Sequence, residues 1–216
     1  MKALRNKGLN MQENDNLPPR TMWDTKYGEE SYFYGTQPND FLKENVGKLP
    51  KGRVLCLADG EGRNSVFLAQ QGYDVTAVDS SAVGMRKASA LAKSKGVSVT
   101  TIVADLNDFD LGEGMWSGIV SIFCHLPSTL RGKVHGSIAP ALSPKGVFLM
   151  ECYSPDQLEF GTGGPKNRDL LVTALQAEQE LAGLSFQHLK QCTRTIVEGQ
   201  GHNGQSAVTQ VIAAKG

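Results

Sequence analysis

Apolar residues in the middle of the chain fall in short unbroken runs, separated by stretches with helical spacing. The runs Arg53–Leu57 (RVLCL), Asp74–Val78, Ser98–Val103, Gly118–Cys124 and Gly146–Tyr153 predict strands. Continuous apolar strands are buried on both faces, as in a parallel sheet covered by helices. Between them, Arg63–Gln71, Ser81–Lys95 and Thr129–Leu142 read as helices. Ser80 or Ser81 suits the N-cap of the second, and Gly72 and Gly96 stop the first two. This succession predicts an α/β fold with a doubly wound, mostly parallel sheet and right-handed crossovers.

The ends follow a different pattern. A last helix is expected over Arg168–Ala182, followed by two long strand-like runs, Leu184–Val197 and Ser206–Ala213. The Gly-rich link Gly199–Gly204 between them predicts an antiparallel C-terminal hairpin. Residues 1–20 are polar and expected to be loosely held. Residues 21–45 form a helical and aromatic cap with Trp23, Tyr27, Tyr32, Phe33 and Tyr34, and 46–216 make one domain.

Composition narrows the partners. Twenty-two basic residues balance twenty-two acidic ones, which argues against a nucleic-acid partner, since polyanion binding rests on a basic excess. No apolar run reaches the length of a membrane span, and the N-terminus lacks the apolar core of a signal peptide. Cys56, Cys124, Cys152 and Cys192 are widely spaced, with no metal or redox pair among them. They read as reduced thiols of a cytoplasmic protein. No metal site is expected, and oligomeric state is not legible.

The candidate chemistry starts at Ala58-Asp59-Gly60-Glu61-Gly62-Arg63-Asn64, between the first strand and first helix. Ligands of doubly wound sheets bind there, beyond the strand C-termini at the switch point. Glycines let the backbone come close, and the helix start offers free N–H groups. Ser65 stands where a dinucleotide fingerprint needs its third glycine, and Glu61 puts a carboxylate where a pyrophosphate would arrive. At ~4 Å and an effective dielectric near 20, that repulsion is about 4 kcal/mol. The turn therefore suits a ligand with a carboxylate tail and a positive centre. Asp79, closing the second strand, can accept from a ribose, and Asp105, past the third, from an adenine amino group. A nucleoside carrying an amino acid fits all three strand ends.

Gly60-Glu61-Gly62-Arg63-Asn64-Ser65, Leu68-Ala69, Gly72 to Ala77, Asp79, Asp105-Leu106-Asn107, Phe123 to Pro127 and Lys145-Gly146 together resemble class I S-adenosylmethionine-dependent methyltransferases. The branch they look like is the tellurite-resistance-type small-molecule enzymes. The resemblance runs from Trp23 to the C-terminus. It implies a seven-stranded Rossmann-like sheet, S-adenosyl-L-methionine as cofactor, and methyl transfer to a small molecule, a thiol or a chalcogen oxyanion such as tellurite or selenite. The cofactor contacts it implies are Ala58, Asp59, Gly60, Gly62, Asn64, Asp79, Ser80, Asp105, Leu106 and Cys124, with Trp23, Tyr27, Tyr34 and Gly35 from the cap. His125 and Tyr153 are the candidates for catalysis or substrate contact, while His188 and His202 read as structural and His135 is given no role. Two departures stand out: Trp116-Ser117 stands where the family has Phe-Asp before the fourth strand, and Cys56 and Ala58 replace the family's acid and its first glycine. Cys56 and Ala58 keep a non-catalytic S-adenosylmethionine-binding protein open as an alternative, beside an NAD-dependent oxidoreductase on a Rossmann sheet.

Overall fold

A computed structural model describes residues 19–216. The segment expected to be loosely held, 1–20, falls almost wholly outside them. Along the chain the elements are α1 (Pro19–Tyr27), α2 (Asp40–Asn45), β1 (Arg53–Leu57), α3 (Arg63–Gln70), β2 (Asp74–Asp79), α4 (Ala82–Ser94), β3 (Thr100–Val103) and β4 (Trp116–Ile122). Then follow α5 (Ser128–Ala141), β5 (Leu142–Tyr153), α6 (Ala174–Glu180), β6 (Leu184–Glu198) and β7 (His202–Lys215).

The strands form one seven-stranded sheet in the order β3-β2-β1-β4-β5-β7-β6. β1 pairs parallel with both β2 and β4, while β7 runs antiparallel between β5 and β6. Beside β1 the winding reverses: the chain steps outward to β3, then returns to β4. The alternation along β1 shows how the core is shared. Leu55 and Leu57 pack on one face with Val134 and Ile138 of α5, Ala177 of α6 and Leu181 just past it. Val54 and Cys56 pack on the other with Leu68, Met85 and Ala88 of α3 and α4 and with Phe41 and Leu42 of α2. Among the described residues, no helix is long and apolar enough to cross a membrane.

Several expected elements take different bounds; β5, for one, already begins at Leu142. The last helix is broken: a 3₁₀ turn at Arg168–Leu170 precedes α6, and Leu171–Thr173 between them is extended. Val172 N donates to Tyr153 O (3.0 Å), and Thr209 Oγ1 donates to Val172 O (2.6 Å), so this stretch is tied to β5 and β7. Thr173 then opens α6 through a reciprocal capping box with Gln176. β4 stops at Ile122, and Phe123 turns away with φ 51°. The hairpin link is only 199–201, because Glu198 already pairs with His202.

Candidate active site

A cavity of about 250 Å³ opens at the C-terminal ends of the central strands. β1 delivers Ala58 and Asp59, β2 Asp79 and Ser80, and β3 leads into Ala104, Asp105 and Leu106. β4 delivers Phe123, Cys124 and His125, α3 contributes Arg63 and Asn64, and the N-terminal segment covers it with Trp23, Tyr27 and Tyr34. Ala58 (φ 49°) and Phe123 (φ 51°) are both in the left-handed region. Such strain, of order 1–3 kcal/mol per residue, concentrates where the surroundings enforce it at functional sites.

Each acid is held by its neighbours. Asp79 accepts the Gly60 N–H (2.9 Å) on one oxygen and the Ser81 N–H (2.8 Å) on the other, which fixes its carboxylate at the strand end. Burial pushes its carboxyl upward against those bonds. Asp59 accepts from Ser65 Oγ and from Ser65 N (3.3 Å), and burial nevertheless raises it to about 7. Asp105 is exposed, and its Oδ1 also caps the turn at Asn107 N (2.8 Å). Burial lifts the Cys124 thiol to about 12, and all four cysteines are free.

Four expected contacts do not line the cavity. A Cβ on Gly62 (φ 91°) would come within 2.6 Å of Ala88, so this glycine lets α3 pack on α4. One on Gly60 (φ 62°) would meet the Tyr27 hydroxyl at 2.7 Å, so its bareness seats the cap. Gly35 faces Gly199 instead. Tyr153 is fully buried one ring behind the wall, stacked on His125 at 5.5 Å and 11°. Glu61 also departs from expectation: it turns from the ligand face to pair with Lys87 (2.5 Å) and to accept Phe33 N–H (2.8 Å). A pyrophosphate at this turn would therefore not meet the Glu61 carboxylate.

Two polar wall residues were not expected. Arg63 binds Glu198 (2.7 Å) through Nη2, while its buried Nη1 has no hydrogen-bond partner. His202, which reads as a hairpin residue in the sequence, is placed in the wall by the shorter link. Its ring lies 4.3 Å from Phe123 and 4.6 Å from Tyr34, and its Nδ1 is 3.7 Å from Glu198. Burial would raise Glu198, but His202 and Arg63 beside it bring it down to about 2. Burial, with the charge of His202, lowers His125 to about 3, and burial lowers His202 as well. Both nitrogens of His125, Nδ1 of His202 and the Tyr153 hydroxyl are buried without a partner of good geometry. No signal within the Gly-rich turn marks Arg63 for the wall; its place as the first residue of α3 is the only hint. Outside the wall, His188 bonds Gln210 (3.2 Å) and His135 pairs with Glu180 (2.8 Å). Among the described residues, no group of His, Cys, Asp and Glu could hold a metal ion.

Two carboxylates at the strand ends, Asp59 and Asp79, and a guanidinium nitrogen of Arg63 without a hydrogen-bond partner fit a zwitterionic nucleoside: acids for ammonium and ribose, a guanidinium for a carboxylate. Residues 54–146 match the methyltransferase domain family. Structures sharing the fold include complexes with S-adenosylhomocysteine and with sinefungin. Within residues 54–146, then, the chain is similar to the methyltransferase domain family, and its fold is one that S-adenosylmethionine-dependent methyltransferases share.

Particular relatives are more distant. The chain is 28% identical over 134 residues to a glycine/sarcosine N-methyltransferase from Halorhodospira halochloris, covering 60% of this chain and 47% of that one. It thus spans about half the length of the curated relative it matches. A protein solved in work on the conversion of a disulfide bond into a thioacetal group during echinomycin biosynthesis superposes with a TM-score of 0.70 at 17% identity. That match covers 91% of this chain and 92% of the other. TehB from Haemophilus influenzae superposes at 0.68 and 17% identity, over 91% of this chain and 67% of its own. Both show the shared fold.

Proposed function

We propose that the protein transfers a methyl group from S-adenosylmethionine to a small acceptor that reacts as an anion, a thiol or a chalcogen oxyanion. In this reading Asp79 holds the ribose, Ala104, Asp105 and Leu106 border the adenine, Asp59 receives the ammonium and Arg63 Nη1 the carboxylate. Asn64, whose Oδ1 already accepts the Asn39 N–H (3.0 Å), fixes the turn. When bound, the cofactor supplies an electrophilic methyl group. The chain's residues orient it, exclude water and shape the acceptor's space.

The observation that carries the acceptor class is the charge state of the far wall. His125 and His202 stay neutral at pH 7, and Tyr153, raised by burial, stays protonated. Arg63 and Lys26 both add to the depression of His202, and Lys26 Nζ sits 4.6 Å from the Trp23 ring centroid. Burial is the larger cause of both depressions and disfavours either charge; the positive field that Arg63 and Lys26 add makes an ammonium the less favourable acceptor beside His202. Soft nucleophiles such as a thiolate need little help from a base. His125 lines the acceptor side, and Tyr153 supports it from behind.

The test is incubation with labelled S-adenosylmethionine and a panel of small thiols, tellurite, selenite and amines. Label should pass to a thiol or a chalcogen oxyanion. Transfer only to amines would overturn the acceptor class, and transfer to none would favour a binding protein without catalysis.

A further inference from the structure

Lys87 is on α4, outside the cavity wall, yet its ammonium group is wholly engaged with the N-terminal segment. Nζ donates to the carbonyls of Glu29 (2.8 Å) and Ser31 (2.7 Å), with Tyr27 O at 3.3 Å, and it pairs with Glu61 at 2.5 Å. It also lies 4.9 Å from the Tyr32 ring centroid, and the Tyr32 hydroxyl donates to the Lys87 carbonyl (3.2 Å). The second oxygen of Glu61 accepts the Phe33 N–H (2.8 Å). One cation and one carboxylate thus collect the chain from Tyr27 to Phe33 as it leaves α1.

Both side chains are mostly out of water, 16% and 3% exposed, so this pair is not the weak surface kind. α1 has nine residues, too few to be stable alone, and the carbonyls just past its end call for a cation. The segment so held supplies Trp23, Tyr27 and Tyr34 to the cavity wall. Glu61 stands between Gly60 and Gly62, so the clasp joins the ligand-binding turn to the aromatic cover.

We propose that Lys87 and Glu61 are positioning residues for the cofactor: facing away from the cavity, they hold the aromatic segment closed over it. The proposal rests on the reading of the cavity as the S-adenosylmethionine site. Cofactor exchange requires this cover to lift, so the clasp governs residence time and affinity more than chemistry.

Lys87→Met and Glu61→Gln test it, with Lys93→Met, an exposed site on the same helix, as control. In the full chain, Lys87→Met should raise the S-adenosylhomocysteine Kd at least tenfold, mainly through faster dissociation. Hydrogen exchange over 20–34 should quicken while β1 and β4 stay protected. KM for S-adenosylmethionine should rise more than kcat falls, and Lys87→Arg should recover part of the affinity. Both variants folded and binding within twofold of wild type would overturn the proposal. If Lys87→Met fails to fold, Glu61→Gln alone decides on the same criterion. Wild-type protein that does not bind S-adenosylhomocysteine would overturn the reading of the cavity, which is a different result.

Discussion

Asp59 is the residue whose ionisation the cavity alters most usefully. Burial raises its carboxyl to about 7, so the folded ligand-free protein keeps a proton there that the unfolded chain gives up near pH 4. The folded form then binds more protons between about pH 4 and 7, and its stability falls as pH rises through that window. A cation placed beside the carboxylate favours its charged form and drives the proton off. Binding of S-adenosylhomocysteine, whose ammonium the account seats at Asp59, should therefore release close to one proton at pH 6 and little above pH 8. Calorimetry in buffers of different ionisation enthalpy measures this directly. Zero release at pH 6 would place the ammonium elsewhere. Asp79 is legible from its position closing a strand, whereas the raised Asp59 is not, because its cause is the enclosure that folding builds around it.

At the scale of elements, the C-terminal hairpin does more than complete the sheet. Glu151, fully buried on β5, accepts from Arg194 (2.6 and 3.0 Å), Gln210 (2.7 Å) and Asn39 (2.7 Å). Glu198 accepts from Asn39 (2.9 Å) and pairs with Arg63 (2.7 Å), so β5, β6, β7, α3 and the start of α2 meet in one ionic network. Removing one member leaves a buried charge uncompensated. Arg194→Met should destabilise the fold by about 3–5 kcal/mol in urea unfolding; a loss under 1 kcal/mol would show that water reaches the carboxylates. Glu198, depressed to about 2, contributes stability that is present above its unfolded value near 4.5 and lost as pH falls from there toward 2.

The same elements show how far local pattern reaches. The central parallel strands were legible because they are buried on both faces and so read as largely apolar runs, whereas β3, at the sheet edge, is half-exposed. The break in the last helix was not, since Leu171 and Val172 fit a helical spacing, and it is the hydrogen bonds of Val172 with Tyr153 and Thr209 that tie the stretch to the sheet. His202 was missed for a related reason. Polar residues and glycines at 199–204 look like a link from end to end, and only the pairing of Glu198 with His202 moves the ring into the wall.

For the molecule as a whole, 22 positive and 22 negative charges leave a surface without a steering field for polyanions, consistent with a small zwitterionic ligand. The contrast that matters most is with a dinucleotide, because the doubly wound sheet serves both and Glu61 no longer argues against a pyrophosphate. The acids at Asp59 and Asp79, the free guanidinium nitrogen of Arg63 and the aromatic cover favour the aminoacyl nucleoside. Isothermal titration of the whole protein with S-adenosylhomocysteine, and separately with NADH, tests this most directly. Saturable binding of S-adenosylhomocysteine at one site per chain, with no binding of NADH, is the expected result. Saturable binding of NADH with none of S-adenosylhomocysteine would contradict it.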